Sequence, residues 1–298
     1  MKFRARDGRD PRELAAMDLT QHLGDKVNKT KYVKTMFDVI APGYDAFTRI
    51  FSFGMDSMWK GTLIREAGKR TPGRPYIVDL ACGTCDLGIS LGRLAGSPLV
   101  LGIDLSGLML SEAKVRATRE SGRFVFAACD ILALPLADSS VDVVTLGYGL
   151  RNTGDANLAL AEVARVLKPR GVLANLDFHR PVGTVWREIF LWYMWNAGRL
   201  AGWLWHREPA TYGYLAPSIR RYFSVPEFEA ALALAGFEVE WRAKRLGGAI
   251  GIHVARRIVV SQRISGNWEA DETAGPNRDE TLAASHSNPS NVDDLTNV

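Results

Sequence analysis

The sequence predicts an α/β protein with a mostly parallel sheet and helices on both faces. Three observations carry this expectation. Short apolar runs, YIVDLA (76–81), VLGIDL (100–105), FVFAACD (124–130), VDVVTLGYG (141–149) and VLANLDF (172–178), alternate with helical segments at 86–95, 107–119 and 155–167. Strands alternating with helices of that length are the pattern of a parallel sheet built by crossovers. The segment IVDLACGTCDL, Ile77 to Leu87, runs from an apolar strand through small residues into a helix. Two late runs, FEVEWRA (237–243) and AIGIHVARRIVV (249–260), have strand composition and are expected to pair antiparallel at the sheet edge.

The remaining elements follow in chain order. Residues 1–30 are charged and are expected to form a flexible arm, followed by one domain over 31–264. Helical spacing links Val33, Met36, Phe37 and Ile40, and APGYD breaks it. A second amphipathic stretch holds Phe47, Ile50 and Phe51, and SFGMD marks a turn before a helix over Trp59 to Ala67. Lys168-Pro-Arg-Gly171 is expected to end one helix and turn into the next strand. Within 182–222, expected as a helical lid insertion, residues 183–206 hold five of the eight tryptophans. That stretch suits a core helix with a wide apolar face, or a lid or lipid-facing surface, since Trp favours the boundary between apolar and wet regions. Phe223 to Ala235 reads as an amphipathic helix closed by Gly236. Residues 265–298 are rich in Ser, Asn, Asp and Thr and are expected to be a disordered acidic tail.

Composition bounds the function. The 298 residues are 47% hydrophobic with a net charge of +4. After Ser265 the seven acids Glu269, Asp271, Glu272, Asp279, Glu280, Asp293 and Asp294 face Arg278 alone, so the body before them is basic. Scattered solvated Lys and Arg is the first reading of that basic body; an anionic membrane surface is the second. Three cysteines make no disulfide framework, and the Cys82-x-x-Cys85 pair lacks a second Cys/His pair at ligand spacing, so no metal is expected. A charged N-terminus and the lack of an apolar run of about 18–20 residues predict a cytoplasmic protein.

The turn after the first strand points to a nucleoside-bearing cofactor. A tight turn lets backbone N–H groups approach a ligand. Asp104, at the end of the next strand in GIDLS, suits a ribose diol. The chain offers Cys-Gly-Thr-Cys-Asp where a dinucleotide would bring G-x-G-x-x-G. Asp79, at the strand end, is the kind of acid found near the amino group of S-adenosylmethionine.

From Lys34 to Arg257 the chain resembles the S-adenosylmethionine-dependent C-methyltransferases of menaquinone and ubiquinone biosynthesis. The likeness rests on MFDVIAPGYDAFTRIFSFGMDSMW, LACGTCDL, IDLSGLML, CDILALPLADSSVDVVTLGYGLRN, ARVLKPRGVLANLDFHRP, YGYLAPSIRRY and GGAIGIHV. It implies a class I methyltransferase fold, Rossmann-like, with a mostly parallel seven-stranded sheet. It places Gly83 and Thr84 in the cofactor loop, Asp104 at the ribose, Asp130 and Ile131 beside the adenine, and Gly147 where the family often has Ser. LDFHRP is similar to the version in phylloquinone methyltransferases. Cys85 replaces the second Gly of the usual turn, so either its Cβ crowds the methionine end of the cofactor or the small residue is tolerated by the backbone; Thr48 replaces an Asn.

A ring carbon becomes a nucleophile when the adjacent hydroxyl of a quinol loses its proton. The expected catalytic residues are therefore Arg151, Asn152 and Tyr44. The Arg151 guanidinium stays protonated, so it is expected to hold a developing phenolate or orient a water, or else to pair with a helix acid such as Glu162. Asn152 either orients that water or caps the next turn. Tyr44 either hydrogen-bonds the quinol oxygen or packs in the core. His253 reads as a base or a strand histidine, and His179 and His206 make weaker cases. The expected partners are a polyprenyl quinol, a peripheral contact at the inner face of the membrane, and a second copy of the chain. Nucleic acid is not expected, because the strand end reads GYGL and no added basic domain exists. Rival readings are methylation of another small molecule, or a non-catalytic cofactor-binding component of a quinone-biosynthesis assembly.

Overall fold

The computed structural model describes residues 26–41, 52–96, 99–206 and 209–258, together with Leu14, Met17, Tyr44, Thr48 and Arg49. Seven strands form one sheet: β1 (Tyr76–Leu80), β2 (Leu99–Asp104), β3 (Arg123–Ala128), β4 (Val141–Gly147), β5 (Leu167–Phe178), β6 (Phe237–Arg245) and β7 (Ile250–Arg257). Their spatial order is β3-β2-β1-β4-β5-β7-β6. β1 to β5 pair in parallel, and β7 runs antiparallel between β5 and β6. The expected edge hairpin is therefore present, with its second strand placed inside its first.

The helices are α1 (Lys26–Ile40), α2 (Met55–Gly68), α3 (Asp86–Leu94), α4 (Gly107–Ala117), α5 (Ala156–Val166), α6 (Thr184–His206), α7 (Ala210–Gly213), α8 (Leu215–Arg221) and α9 (Val225–Leu234). The central strands are near-continuous Val, Ile and Leu runs because both sheet faces are covered. One face carries Val78, Leu80, Val144 and Leu146 in a cluster with Leu160 and Val163 of α5 and Phe228 and Leu232 of α9. The other carries Ile77, Val143, Ala174 and Ile252 with Trp59 and Leu63 of α2 and Leu91 of α3.

Local chemistry sets the helix starts. Asp155 accepts from the amides of Asn157 and Leu158 at the start of α5, and Ser224 with Glu227 forms a capping box for α9. Ser106 caps α4 through the Met109 amide and donates to Asp38 of α1 at 2.6 Å, which ties the two helices.

One expected turn is absorbed into a strand. β5 pairs Leu167 with Val141 and then Val172 with Val143, so Lys168–Gly171 bulges out of the ladder with Arg170 at φ 64. A Cβ on Gly171 would sit 2.9 Å from the Lys168 carbonyl oxygen, which explains the glycine. The first turn of α1 falls inside the stretch expected as an arm. The tail over 265–298 and most of the arm lie outside the described residues, as do Asp45 and Phe47. Among the described residues no helix is long and apolar enough to cross a membrane.

Candidate active site

The turn after β1 is made from backbone that L-residues rarely adopt. Ala81, Gly83 and Cys85 all have positive φ, at 46°, 53° and 60°. Long-range bonds offset the strain of the two non-glycine residues. The Cys82 amide donates to the Ile103 carbonyl at 3.0 Å, and the Cys85 amide closes the turn onto Cys82 O at 2.7 Å. Asp104 accepts from the Gly83 amide on one oxygen and from the Ser106 amide on the other, both at 2.8 Å. The acid at the end of β2 thus fixes the turn after β1. Burial raises its pKa above the ordinary carboxylate value.

Asp79 works inside the same turn. Its oxygens accept from the Gly88 amide at 2.9 Å and from the Thr145 hydroxyl at 2.6 Å. Burial pushes its pKa up to about 7 against those two bonds. Gly88 has to be glycine, since a Cβ there would lie 2.9 Å from both Asp79 Cβ and Cys85 Sγ.

These strand ends open on a cleft whose empty space, open solvent included, is about 940 Å³. Every sequence-predicted cofactor residue lies on its wall: Asp79, Gly83, Thr84, Asp104, Asp130, Ile131 and Gly147. Two glycines permit the close approach of the loops around it. A Cβ on Gly149 would come within 2.4 Å of Ala81 Cβ, and one on Gly147 within 2.7 Å of Leu87 Cδ1. S-adenosylmethionine offers an ammonium, a ribose diol and an adenine amino group as donors. Four carboxylates, Asp79, Asp86, Asp104 and Asp130, stand on the wall as acceptors with the amide oxygen of buried Asn152, which has no partner among the described residues, so the residues fit the cofactor. Helix α1 covers one side with Thr30, Val33, Lys34 and Phe37.

A second cavity, with empty space of about 640 Å³ including open solvent, adjoins the first and shares Phe37, Tyr44 and Tyr148 with it. Its lining is mainly apolar and aromatic, with Met36, Ile40, Trp59, Phe178, Tyr212 and Tyr214. Arg151 lies on this wall. Its Nη1 donates to Asp177 Oδ1 at 2.5 Å and to Tyr148 O at 2.7 Å, and its guanidinium lies 5.2 Å from the Phe178 ring centre. Its Nε has no partner among the described residues. Tyr44, half-buried, stands edge-on to Phe37 with ring centres 6.1 Å apart, and burial raises its phenol pKa.

Three expectations are corrected here. The ion-pair partner of Arg151 is Asp177; Glu162 instead binds Arg165 and the Leu134 amide. Asn152 caps no helix: its amide nitrogen donates to Tyr148 O at 3.0 Å, and Asp155 caps α5. Cys85 does not crowd the cofactor space, because its left-handed backbone turns the thiol into the core, where it is 0% exposed. Cys82 and Cys129 are the sulfurs on the wall, and a side-chain bond with Cys85, together with burial, holds the Cys82 thiol pKa up. No group of His, Cys, Asp or Glu among the described residues is suited to a metal.

His253 and His179 line neither cavity. Burial lowers their pKa values to about 3 and about 4, so both are neutral core histidines. The side chain of His206 lies outside the described residues. Sequence reasoning missed Asp177, Tyr148, Lys60, Asp56 and Lys29. Asp177, Tyr148 and Asp56 sit inside quoted segments, LDFHRP, GYGLRN and SFGMDSMW, but their partners are distant in sequence. Lys29 of α1 donates to the carbonyls of Arg151 and Thr153 at 2.9 and 2.7 Å.

A sheet of this order, with the first βα turn and the second-strand acid on one cavity, defines a class I S-adenosylmethionine-dependent methyltransferase. The profile of the ubiE/COQ5 methyltransferase family matches residues 25–257, and the chain belongs to that family. The ubiquinone/menaquinone biosynthesis C-methyltransferase UbiE of Geotalea daltonii is 34% identical over 213 residues, covering 70% of this chain and 89% of the relative. The 2-phytyl-1,4-naphtoquinone methyltransferase of Trichormus variabilis is 36% identical, covering 75% of this chain and 97% of the relative. Among solved structures, a chain from the complex of the Haloferax volcanii Trm112 methyltransferase activator with a methyltransferase superposes at TM-score 0.54. It is 20% identical and covers 75% of this chain and 98% of that chain, a likeness of fold alone.

Proposed function

We propose that this chain methylates a ring carbon of a polyprenyl naphthoquinol, the final type of step in making a menaquinone. The observation that carries this reading is the pair of adjoining cavities, one ringed by cofactor acceptors and the other aromatic with a single buried arginine. The two curated relatives above share naphthoquinone chemistry in their names, which supports the acceptor class.

S-adenosylmethionine supplies an electrophilic methyl on a sulfonium. The chain's residues prepare the acceptor. Asp104, Asp130, Ile131 and Asp79 would hold the cofactor's ribose, adenine and ammonium. The common wall of Phe37, Tyr44 and Tyr148 sets the ring beside the cofactor space, and apolar packing excludes water. Arg151, fixed by Asp177 and by Tyr148 O, stabilises the oxyanion that develops on the quinol. Tyr44 donates to a quinol oxygen. Asn152 offers its free amide oxygen on the cofactor side.

The acceptor's tail implies a membrane. Helix α6 buries Phe190, Leu191 and Met194 and exposes Val185 (76%), Ile189, Trp192 (69%), Leu200, Trp203 and Leu204. An apolar face with tryptophans and flanking arginines suits an amphipathic helix lying in a lipid interface. The chain would meet its substrate there without a spanning segment.

The test is transfer of labelled methyl from S-adenosylmethionine to reduced demethylmenaquinone in detergent, with a demethylated ubiquinone precursor in parallel. Label in the naphthoquinol is expected. Label only in the benzoquinol precursor would move the acceptor to ubiquinone synthesis, and label in neither would overturn quinol methylation.

A further inference from the structure

We propose that Asp56 is the proton acceptor of the quinol site, an inference that rests on the reading above. Asp56 stands in the first turn of α2 and is 6% exposed. One oxygen lies 2.8 Å from Lys60 Nζ, one helical turn on. Lys60 also reaches Asp86 at 3.1 Å, the first residue of α3 on the cofactor side. The other oxygen, Oδ1, has no hydrogen-bond partner among the described residues. A buried carboxylate oxygen left unpaired is costly unless a ligand completes it.

That oxygen belongs to a residue on the wall of the aromatic cavity. Asp56 is the only carboxylate among the described residues lining it. Asp177 is no competitor: it is off the wall, and its oxygens take Arg151 and the Phe178 amide. The charged and titratable groups around Asp56 are Lys60, Tyr148, Tyr44 and, across the cavity, Arg151, with Asp86 reached through Lys60. Burial, the Asp56 charge and a side-chain interaction with Asp56 together hold the Tyr148 phenol well above its usual pKa, so Tyr148 is a donor toward Asp56 and not a base. Lys60, fastened to Asp56 and Asp86, keeps its proton, since the two carboxylates raise its pKa against burial.

The proton balance then closes. Asp56 takes the proton of the quinol hydroxyl next to the reacting carbon, and Arg151 holds the resulting oxyanion. A new carbon–methyl bond forms at the ring as the donor's sulfur–methyl bond breaks, its electron pair leaving on the sulfur of S-adenosylhomocysteine; the C–H bond at that carbon then breaks and its electron pair restores the aromatic ring. That proton passes to water. Asp56 returns its proton to the quinol oxygen and is a carboxylate again, so each methyl gained releases one proton to solvent.

The experiment compares the full chain with Asp56→Asn on reduced demethylmenaquinone and on a ring-halogenated analogue whose hydroxyl is more acidic. General-base loss predicts a kcat lower by about 10²–10⁴-fold, with the Kd for S-adenosylmethionine unchanged in calorimetry. The deficit is expected to narrow by about tenfold or more on the acidic quinol, which a purely structural role would not produce. Asp56→Ala with added formate is the second variant, and rescue of its rate is expected. A kcat near the parent's, or one deficit on both quinols with no formate rescue, would overturn the assignment while leaving quinol methylation intact. A parent chain that methylates neither quinol overturns the function and this inference with it.

Discussion

At the scale of the residue, Asp79 is a structural anchor that also stands on the wall of the larger cleft, where the proposed function puts the cofactor. Its bonds to Gly88 and Thr145 lock the cofactor turn, yet burial keeps its pKa near 7. A raised folded pKa means that the free protein holds a proton there between the unfolded value of 3.8 and about 7. The stability this group contributes is fully present below 3.8 and is lost as pH rises through 7. A cationic ligand beside it favours the ionised form, so cofactor binding releases that proton. The Kd for S-adenosylmethionine is therefore expected to fall from pH 6 to pH 7.5 and then level off. Calorimetry in two buffers of different ionisation heat would read both the affinity and the proton. Asp79→Asn should flatten the profile; an unchanged slope would place the titration elsewhere.

At the scale of the element, α6 carries its own prediction. Trp192 is 69% and Trp195 38% exposed, so replacing both by Ala removes little core packing. Arg199 lies 5.4 Å from the centre of the Trp195 ring, a contact worth about 0.5–1 kcal/mol at an exposed site. The double variant should keep its melting temperature and cofactor affinity and lose co-sedimentation with anionic liposomes by about an order of magnitude. Parent-like co-sedimentation would remove the membrane role from this face.

Elements were also what the sequence made most legible. Helices expected at 86–95, 107–119 and 155–167 occur at Asp86–Leu94, Gly107–Ala117 and Ala156–Val166, because apolar periodicity and caps are local signals. The cofactor wall was legible for the same reason, since Asp79 to Thr84 and Asp104 sit at strand ends. The bulge at Lys168–Gly171 was not, because it depends on register against β4. Asp177 and Asp56 stayed hidden because their meaning comes from Arg151 and Lys60 and from a cavity wall. Pairing across 26 residues leaves no periodic trace.

At the scale of the whole molecule, the site is assembled from distant parts of the chain. The strand ends supply the acids, α2 the second cavity's carboxylate, and α1 the cover over the cofactor space. Such a site is expected to report the fold as a unit: S-adenosylhomocysteine should raise the melting temperature of the full chain by several degrees at 100 times its Kd, equivalent to about 2.7 kcal/mol. No shift at that concentration would mean that the bound form gains nothing over the unfolded chain, which is incompatible with a preformed cavity.

The Lys29 clasp has an alkaline consequence. Burial, reinforced by Arg151, lowers this amine from 10.5 to about 8. A neutral amine keeps two N–H donors, and the clasp needs two, one for each carbonyl. Deprotonation therefore leaves a donor for each carbonyl, though each bond is weaker than its charge-assisted form. Because the unfolded chain binds the extra proton between pH 8 and 10.5, this group adds stability as pH rises through that window, and the addition vanishes as pH falls through 8. The joint between α1 and the Arg151 turn thus keeps its two donors after the charge is lost, while the fold as a whole gains stability as pH rises through that window.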